Sequence, residues 1–67
     1  MQHKETALRH YRLYGLKDGR IISTTVFDAA DDVAAIEVAR ARAALVDSEL
    51  WSGSRLVAFV PATPDAE

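Results

Sequence analysis

Two histidines are the residues of this 67-residue chain that most readily suggest catalysis or metal binding. His3 and His10 lie seven positions apart, which fits neither the i, i+4 pair of a helical metal site nor a compact pair on a strand. The chain contains no cysteine that could complete a structural zinc site. No Ser, Thr or Lys stands in a recognisable pattern with a general base. We therefore expect a non-enzymatic protein with no catalytic residues, no metal site and no cofactor.

Three acidic residues, Asp28, Asp31 and Asp32, could be read as a carboxylate cluster for Ca²⁺ or Mg²⁺. They lack the glycine and the distal glutamate of a calcium-binding loop. Aspartates at this spacing before an Ala-rich segment are typical of a helix start, where a carboxylate accepts hydrogen bonds from free backbone N–H groups. The pattern favours helix capping over metal binding.

Aromatic and basic residues alternate near the start of the chain, where Tyr11 and Tyr14 accompany Arg9 and Arg12. Such a mixture is found in proteins that stack single-stranded nucleic acid on aromatic rings. The net charge of −2 and the isoelectric point near 5.6 argue against general nucleic-acid binding. Weak binding of single strands through this segment is therefore kept as an alternative function.

Five elements are expected to position these side chains. Apolar and β-branched segments at residues 7–16 and 21–27 flank Asp18-Gly19, a dipeptide typical of a two-residue hairpin turn. A segment without Gly or Pro predicts a helix from Asp32 to about Asp47. Short strands follow at 49–51 and 56–60. The sequence predicts an α+β fold of ββαββ order, with one helix on an antiparallel sheet of strand order 2-1-3-4.

One domain, residues 7–60, is expected between a disordered arm at 1–6 and a disordered tail at 61–67. The first residues lack the apolar stretch of a signal peptide, and no run approaches the roughly 18 apolar residues of a membrane span. We expect a cytoplasmic protein that does not enter the membrane.

The predicted sheet is apolar on both faces, although the chain supplies a single helix to cover it. Strand alternation puts Tyr11 and Leu13 on one side of strand 1. On strand 4 it puts Leu56, Ala58 and Val60 on one side and the residues between them on the other. The second face could be an ordinary semi-polar surface, diluted by residues such as Thr24. It could also be a contact surface for a second copy or another protein.

The size of the chain favours the contact surface, because a domain this short buries only a marginal core and is often stabilised by association. We therefore expect a homodimer or a complex with a protein partner. Trp51 and Arg55 flank a turn at 52–54 and are residue types common at interface hot spots. The candidate interface residues are Tyr11, Leu13, Ile22, Val26, Trp51 and Arg55.

Short motifs in a distinctive order resemble those of a known family. They are Tyr-Arg-Leu-Tyr at 11–14, Asp-Gly-Arg-Ile at 18–21, Ala-Asp-Asp at 30–32, and Glu-Leu-Trp-x-Gly-x-Arg-x-Val-Ala at 49–58. Together they are similar to a group of short uncharacterised alphaproteobacterial proteins that share the first and last of these motifs. Members usually have a large apolar residue at the position of Gly15 and a slightly longer hairpin loop. The resemblance implies a bacterial cytosolic protein and no particular activity.

Overall fold

The computed structural model describes residues 8–43 and 45–62, and shows one helix packed on a four-stranded sheet. The elements, in ββαββ order, are β1 (Arg9–Lys17), β2 (Arg20–Ala29), α1 (Asp32–Arg42), β3 (Ser48–Ser52) and β4 (Arg55–Val60). Neighbouring strands are antiparallel, and their order is β2-β1-β3-β4. The predicted fold class and strand order are therefore confirmed.

The β1–β2 hairpin turns at Asp18 and Gly19, as predicted. Both residues have positive φ, 53° and 78°, which is the backbone of a type I′ turn. Asp tolerates this left-handed region better than most residues, and Gly has no Cβ to clash there. The dipeptide therefore fixes where the chain reverses.

Helix α1 begins at the predicted residue but ends earlier. Asp31 is the N-cap, and its carboxylate accepts a 2.9 Å hydrogen bond from the Ala34 N–H. The helix ends at Arg42, whereas the sequence predicts about Asp47. The Asp47 backbone carbonyl instead accepts a 2.8 Å bond from the Leu16 N–H. Residues 45–47 therefore lie outside the helix, beside the end of β1, although no Gly or Pro marks the end of α1.

The core lies between α1 and one face of the sheet. Its helix side consists of three buried alanines, Ala35, Ala39 and Ala43, which allow the helix to approach the sheet closely. On the sheet side the Tyr11 ring stacks on Phe27, with ring centroids 5.8 Å apart. The remaining buried apolar residues are Leu13, Ala29, Leu50 and Val60.

Gly15 lies on the helix-covered face, where it is buried. A Cβ at this position would meet Ser23 Oγ and Val46 Cγ2. The room that a larger residue would need is therefore occupied by these two side chains.

The chain ends fall largely outside the described residues. The predicted arm at residues 1–6 lies outside them, as does the tail from residue 63 onward. Within the tail, the Ala62 N–H donates a 2.8 Å hydrogen bond to Asp47 Oδ1, so the chain is still tied to the domain there. In the part of the chain that is described, no helix is long and apolar enough to cross a membrane.

Candidate functional site

The face of the sheet opposite α1 is the candidate functional site, here called the open face. Because Tyr11 and Leu13 are buried under the helix, the alternate residues of β1 point to the other side. The strand register then places the cross-strand neighbours of those residues on the same side. The open face consists of His10, Arg12, Tyr14, Leu16, Ile21, Thr24, Val26, Asp28, Glu49, Trp51, Leu56 and Phe59.

Two rows cross all four strands of the open face. One row runs from β2 to β4 through Val26, Arg12, Trp51 and Leu56. The next row runs in the same direction through Thr24, Tyr14, Glu49 and Phe59. Because directly opposed residues on antiparallel strands lie about 5 Å apart, each row forms a continuous surface.

Large apolar side chains on this face are exposed to solvent. The exposed fractions are 59% for Ile21, 67% for Val26, 49% for Leu56 and 55% for Phe59. Half-buried Tyr14, Leu16 and Trp51 lie between them. A shallow hollow of about 320 Å³ is lined in part by Tyr14, Ile21 and Trp51. The open face is thus a largely apolar surface.

Opposite charges lie near the centre of this surface. Arg12 is exposed and pairs across the strands with Trp51. Glu49 pairs with Tyr14, and its Oε1 accepts a 3.1 Å hydrogen bond from Trp51 Nε1. This bond satisfies the indole and holds both side chains in place. Neither Arg12 nor Glu49 forms an ion pair with another described residue.

The structure divides the six predicted interface residues between the two sides of the sheet. Val26 and Trp51 lie on the open face. Tyr11 and Leu13 instead belong to the core, with exposed fractions of 0% and 4%. They cannot line an interface on the helix-free face. Only two of the six are therefore brought together on this surface.

The last two predicted residues lie elsewhere. Ile22 is the extra residue of a bulge in β2 and lies beside Lys17 and Arg20 near the hairpin turn. Arg55 is on the helix side, where its guanidinium contacts Asp32 of α1. Neither residue is at the centre of the open face.

Arg55 belongs to a polar clamp, defined here as Tyr11, Asp32 and Arg55. The Tyr11 hydroxyl donates to Asp32 Oδ1 at 2.8 Å, and the Arg55 guanidinium donates to both carboxylate oxygens at 3.1 and 3.2 Å. The clamp ties the first residue of α1 to β1 and β4. All its polar groups point at one another, so it fits a role in stability.

The clamp shifts the pKa of each member. Hydrogen bonds from Arg55 and then from Tyr11 hold the pKa of Asp32 below its usual value. Burial, followed by the hydrogen bond to the Asp32 carboxylate, raises the pKa of the Tyr11 hydroxyl. The hydrogen bond to Asp32 raises the pKa of Arg55. At neutral pH the clamp is thus a neutral tyrosine, a carboxylate and a guanidinium.

The remaining titratable residues form smaller contacts. His10 Nδ1 lies 2.7 Å from Asp28 Oδ1, in an exposed cross-strand pair between β1 and β2. Within residues 8–43 and 45–62, no group of three potential ligands is arranged to hold a metal ion. His3 lies outside the described residues.

Sequence alternation missed part of the open face because β4 contains a bulge. Leu56 pairs with Trp51 and Ala58 with Leu50, which leaves Val57 as an extra residue between them. Leu56 therefore joins the open face, whereas Val57 packs against the core. The predicted grouping of Leu56 with Ala58 and Val60 is wrong for this reason. Phe59, on the same strand, could have been found from its alternation alone.

Comparisons with protein-family models, curated proteins and solved structures found no match for this chain.

Proposed function

We propose that this protein is a small, non-enzymatic interaction module that binds a protein partner, or a second copy of itself, through the open face. The observation that supports this proposal is the exposure of Ile21, Val26, Leu56 and Phe59 on one continuous surface. The largest exposed apolar patch of a monomeric protein typically measures a few hundred Å² and often marks a contact site.

The distribution of large side chains between the two faces also supports the proposal. Among the described residues, the core side has four buried large apolar side chains, Tyr11, Leu13, Leu50 and Val60, and three more, Phe27, Ile36 and Val57, are partly buried against them. The open face has seven, namely Tyr14, Leu16, Ile21, Val26, Trp51, Leu56 and Phe59. Burial of such side chains stabilises by about 25 cal/mol per Å². About half of the large apolar side chains thus lie on a face that α1 does not cover, and covering that face would add stabilisation that a single copy does not gain.

Binding of single-stranded nucleic acid is a second candidate, because the open face combines Arg12 with the rings of Tyr14, Trp51 and Phe59. The buried Tyr11 cannot stack on a base. Glu49 on the same surface would repel phosphates, and so would the net charge of −2. We therefore favour a protein partner.

We place the protein in the bacterial cytoplasm, in line with its cysteine-free sequence and its resemblance to a bacterial family.

Site-specific photo-crosslinking in cells that make the protein tests the proposal. A photoreactive phenylalanine derivative is placed at Val26 or Phe59 on the open face. The matched control is Val33 on α1, which has an exposed fraction of 69% against 67% for Val26. We expect crosslinks to protein at Val26 and Phe59 that are absent or much weaker at Val33.

Equal labelling at all three positions, or none at the open face, would contradict the proposal. Crosslinks to nucleic acid at Phe59 would favour the second candidate instead. A mobility shift of single-stranded oligonucleotides at low salt would confirm that outcome, because phosphate contacts are strongest there.

A further inference from the structure

We infer that the partner of the open face is a second copy of this chain, placed by a two-fold axis that pairs Arg12 of each copy with Glu49 of the other. This inference rests on the proposed function and adds the identity of the partner. It follows from the positions of the two charges and from the size of the surface around them.

The two charges are arranged for self-complementary pairing. Arg12 and Glu49 are diagonal neighbours, because Arg12 lies opposite Trp51 and Glu49 lies opposite Tyr14 on the adjacent strand. A two-fold axis lying in the interface and passing over Tyr14 and Trp51 exchanges the Arg12 and Glu49 positions. Each cation then faces the anion of the other copy, as an interface between identical surfaces requires.

The surroundings of the pair make this arrangement favourable. Val26 and Leu56 end the row that contains Arg12, and Phe59 ends the row that contains Glu49. A second sheet laid on the face would exclude water from the charges at the centre. Removing water from Arg12 or Glu49 is costly unless a group of opposite charge takes its place. A second copy supplies that group for each residue, whereas an uncharged apolar surface supplies none.

The size of the surface is sufficient for association. Four side chains that are about half exposed offer on the order of 100 Å² each, since a fully exposed large side chain presents about 200 Å². The half-buried and polar residues of the open face bring the total toward the roughly 800 Å² per partner of a standard interface. The three aromatic side chains in its two rows, Tyr14, Trp51 and Phe59, are also typical of a surface that packs against another sheet.

Charge-swap variants measured by sedimentation equilibrium test the inference. The proposed dimer has two contacts between positions 12 and 49. Arg12→Glu would place two carboxylates at each contact, and Glu49→Arg would place two guanidinium groups there. We expect each variant to raise the dimer dissociation constant by at least about tenfold. An equimolar mixture of the two should associate to within about threefold of the unmodified protein, because each copy then supplies the charge that the other lacks.

The control applies the same swaps to the exposed helix residues Arg40→Glu and Glu37→Arg. These should leave the dissociation constant within about twofold of the unmodified protein, alone or mixed. Circular dichroism of every variant verifies that the fold is retained. Rescue on mixing is the informative result, since a purely intramolecular role for either residue cannot produce it.

Two outcomes would overturn the inference. One is an unmodified protein that stays monomeric up to about 1 mM, a concentration at which even weak complexes associate. The other is a dimer whose dissociation constant ignores both swaps, which would place the contact elsewhere. In either case, crosslinks from Phe59 to a different protein would leave the proposed function intact, whereas absence of any crosslink would refute the proposed function itself.

Discussion

Asp32 shows how one residue can join elements that are far apart in the sequence. It begins α1, and its carboxylate receives the Tyr11 hydroxyl from β1 and the Arg55 guanidinium from β4. The sequence predicts a helix start at this position. It does not predict the clamp, because Tyr11 and Arg55 are 21 and 23 residues away. Such contacts depend on the tertiary fold, and residue type alone therefore predicts an interface role for Arg55.

We expect the melting temperature of Asp32→Asn to change less than that of the unmodified protein when the pH is lowered into the acidic range. Because the folded-state pKa of Asp32 lies below its unfolded value of about 3.9, the carboxylate stabilises the fold above that pH. The contribution is lost as the pH falls through the folded-state pKa. Asp32→Asn should lower the melting temperature at pH 7 by several degrees, on the order of 5 °C. The difference from the unmodified protein should shrink as the pH falls below about 4, as measured by thermal unfolding followed by circular dichroism.

The exposed turn variant Asp18→Asn serves as the control. Asn also tolerates positive φ, so this variant should keep its melting temperature at pH 7 within about 1 °C. A melting-temperature difference between Asp32→Asn and the unmodified protein that stays constant from pH 7 to pH 2 would contradict a clamp held by the charged carboxylate.

At the scale of the elements, local chemistry explains what the sequence could predict. Asp18-Gly19 fixes the first turn through its positive φ values, and Asp31 fixes the helix start through its capping bond. The end of α1 and the bulge at Val57 have no such local signal. The bulge depends on pairing with β3, and the Asp47 carbonyl in the segment after α1 accepts a hydrogen bond from β1; a single sequence reveals neither contact. A one-residue bulge moves each preceding residue to the opposite side of the sheet. Leu56 therefore lies on the open face, whereas simple alternation groups it with Ala58 and Val60.

The bulge in β4 can be tested by truncating two neighbours. Val57→Ala should lower the free energy of unfolding by about 1–2 kcal/mol, because Val57 packs against the core. Leu56→Ala removes a larger side chain, yet it should cost about 0.5 kcal/mol or less, because Leu56 is 49% exposed. Urea unfolding at about 1 μM protein, where self-association is weak, measures both. If β4 had no bulge, Leu56 would face the core and Val57 would face solvent. Leu56→Ala would then lower the free energy of unfolding more than Val57→Ala does.

At the scale of the whole molecule, one small helix covers one face of a sheet that is apolar on both. The two-faced pattern is visible in the sequence, and so is the ββαββ order. The composition of the open face was only partly predictable, since Tyr11 and Leu13 proved to belong to the core while Leu56 and Phe59 took their place. The central claim is therefore the proposal that a second copy covers the surface that α1 leaves uncovered.

Acrylamide quenching of Trp51 fluorescence tests that claim most directly, because this half-buried residue is the single tryptophan of the chain and lies within the open face. Covering the face must shield the indole. We expect the quenching constant to fall at least about twofold between about 1 μM and 1 mM protein, as a weak dimer forms. Val33→Glu should behave like the unmodified protein, whereas Val26→Glu should remain quenchable throughout. A quenching constant that is independent of protein concentration, in a sample that sedimentation shows to be dimeric, would contradict the account.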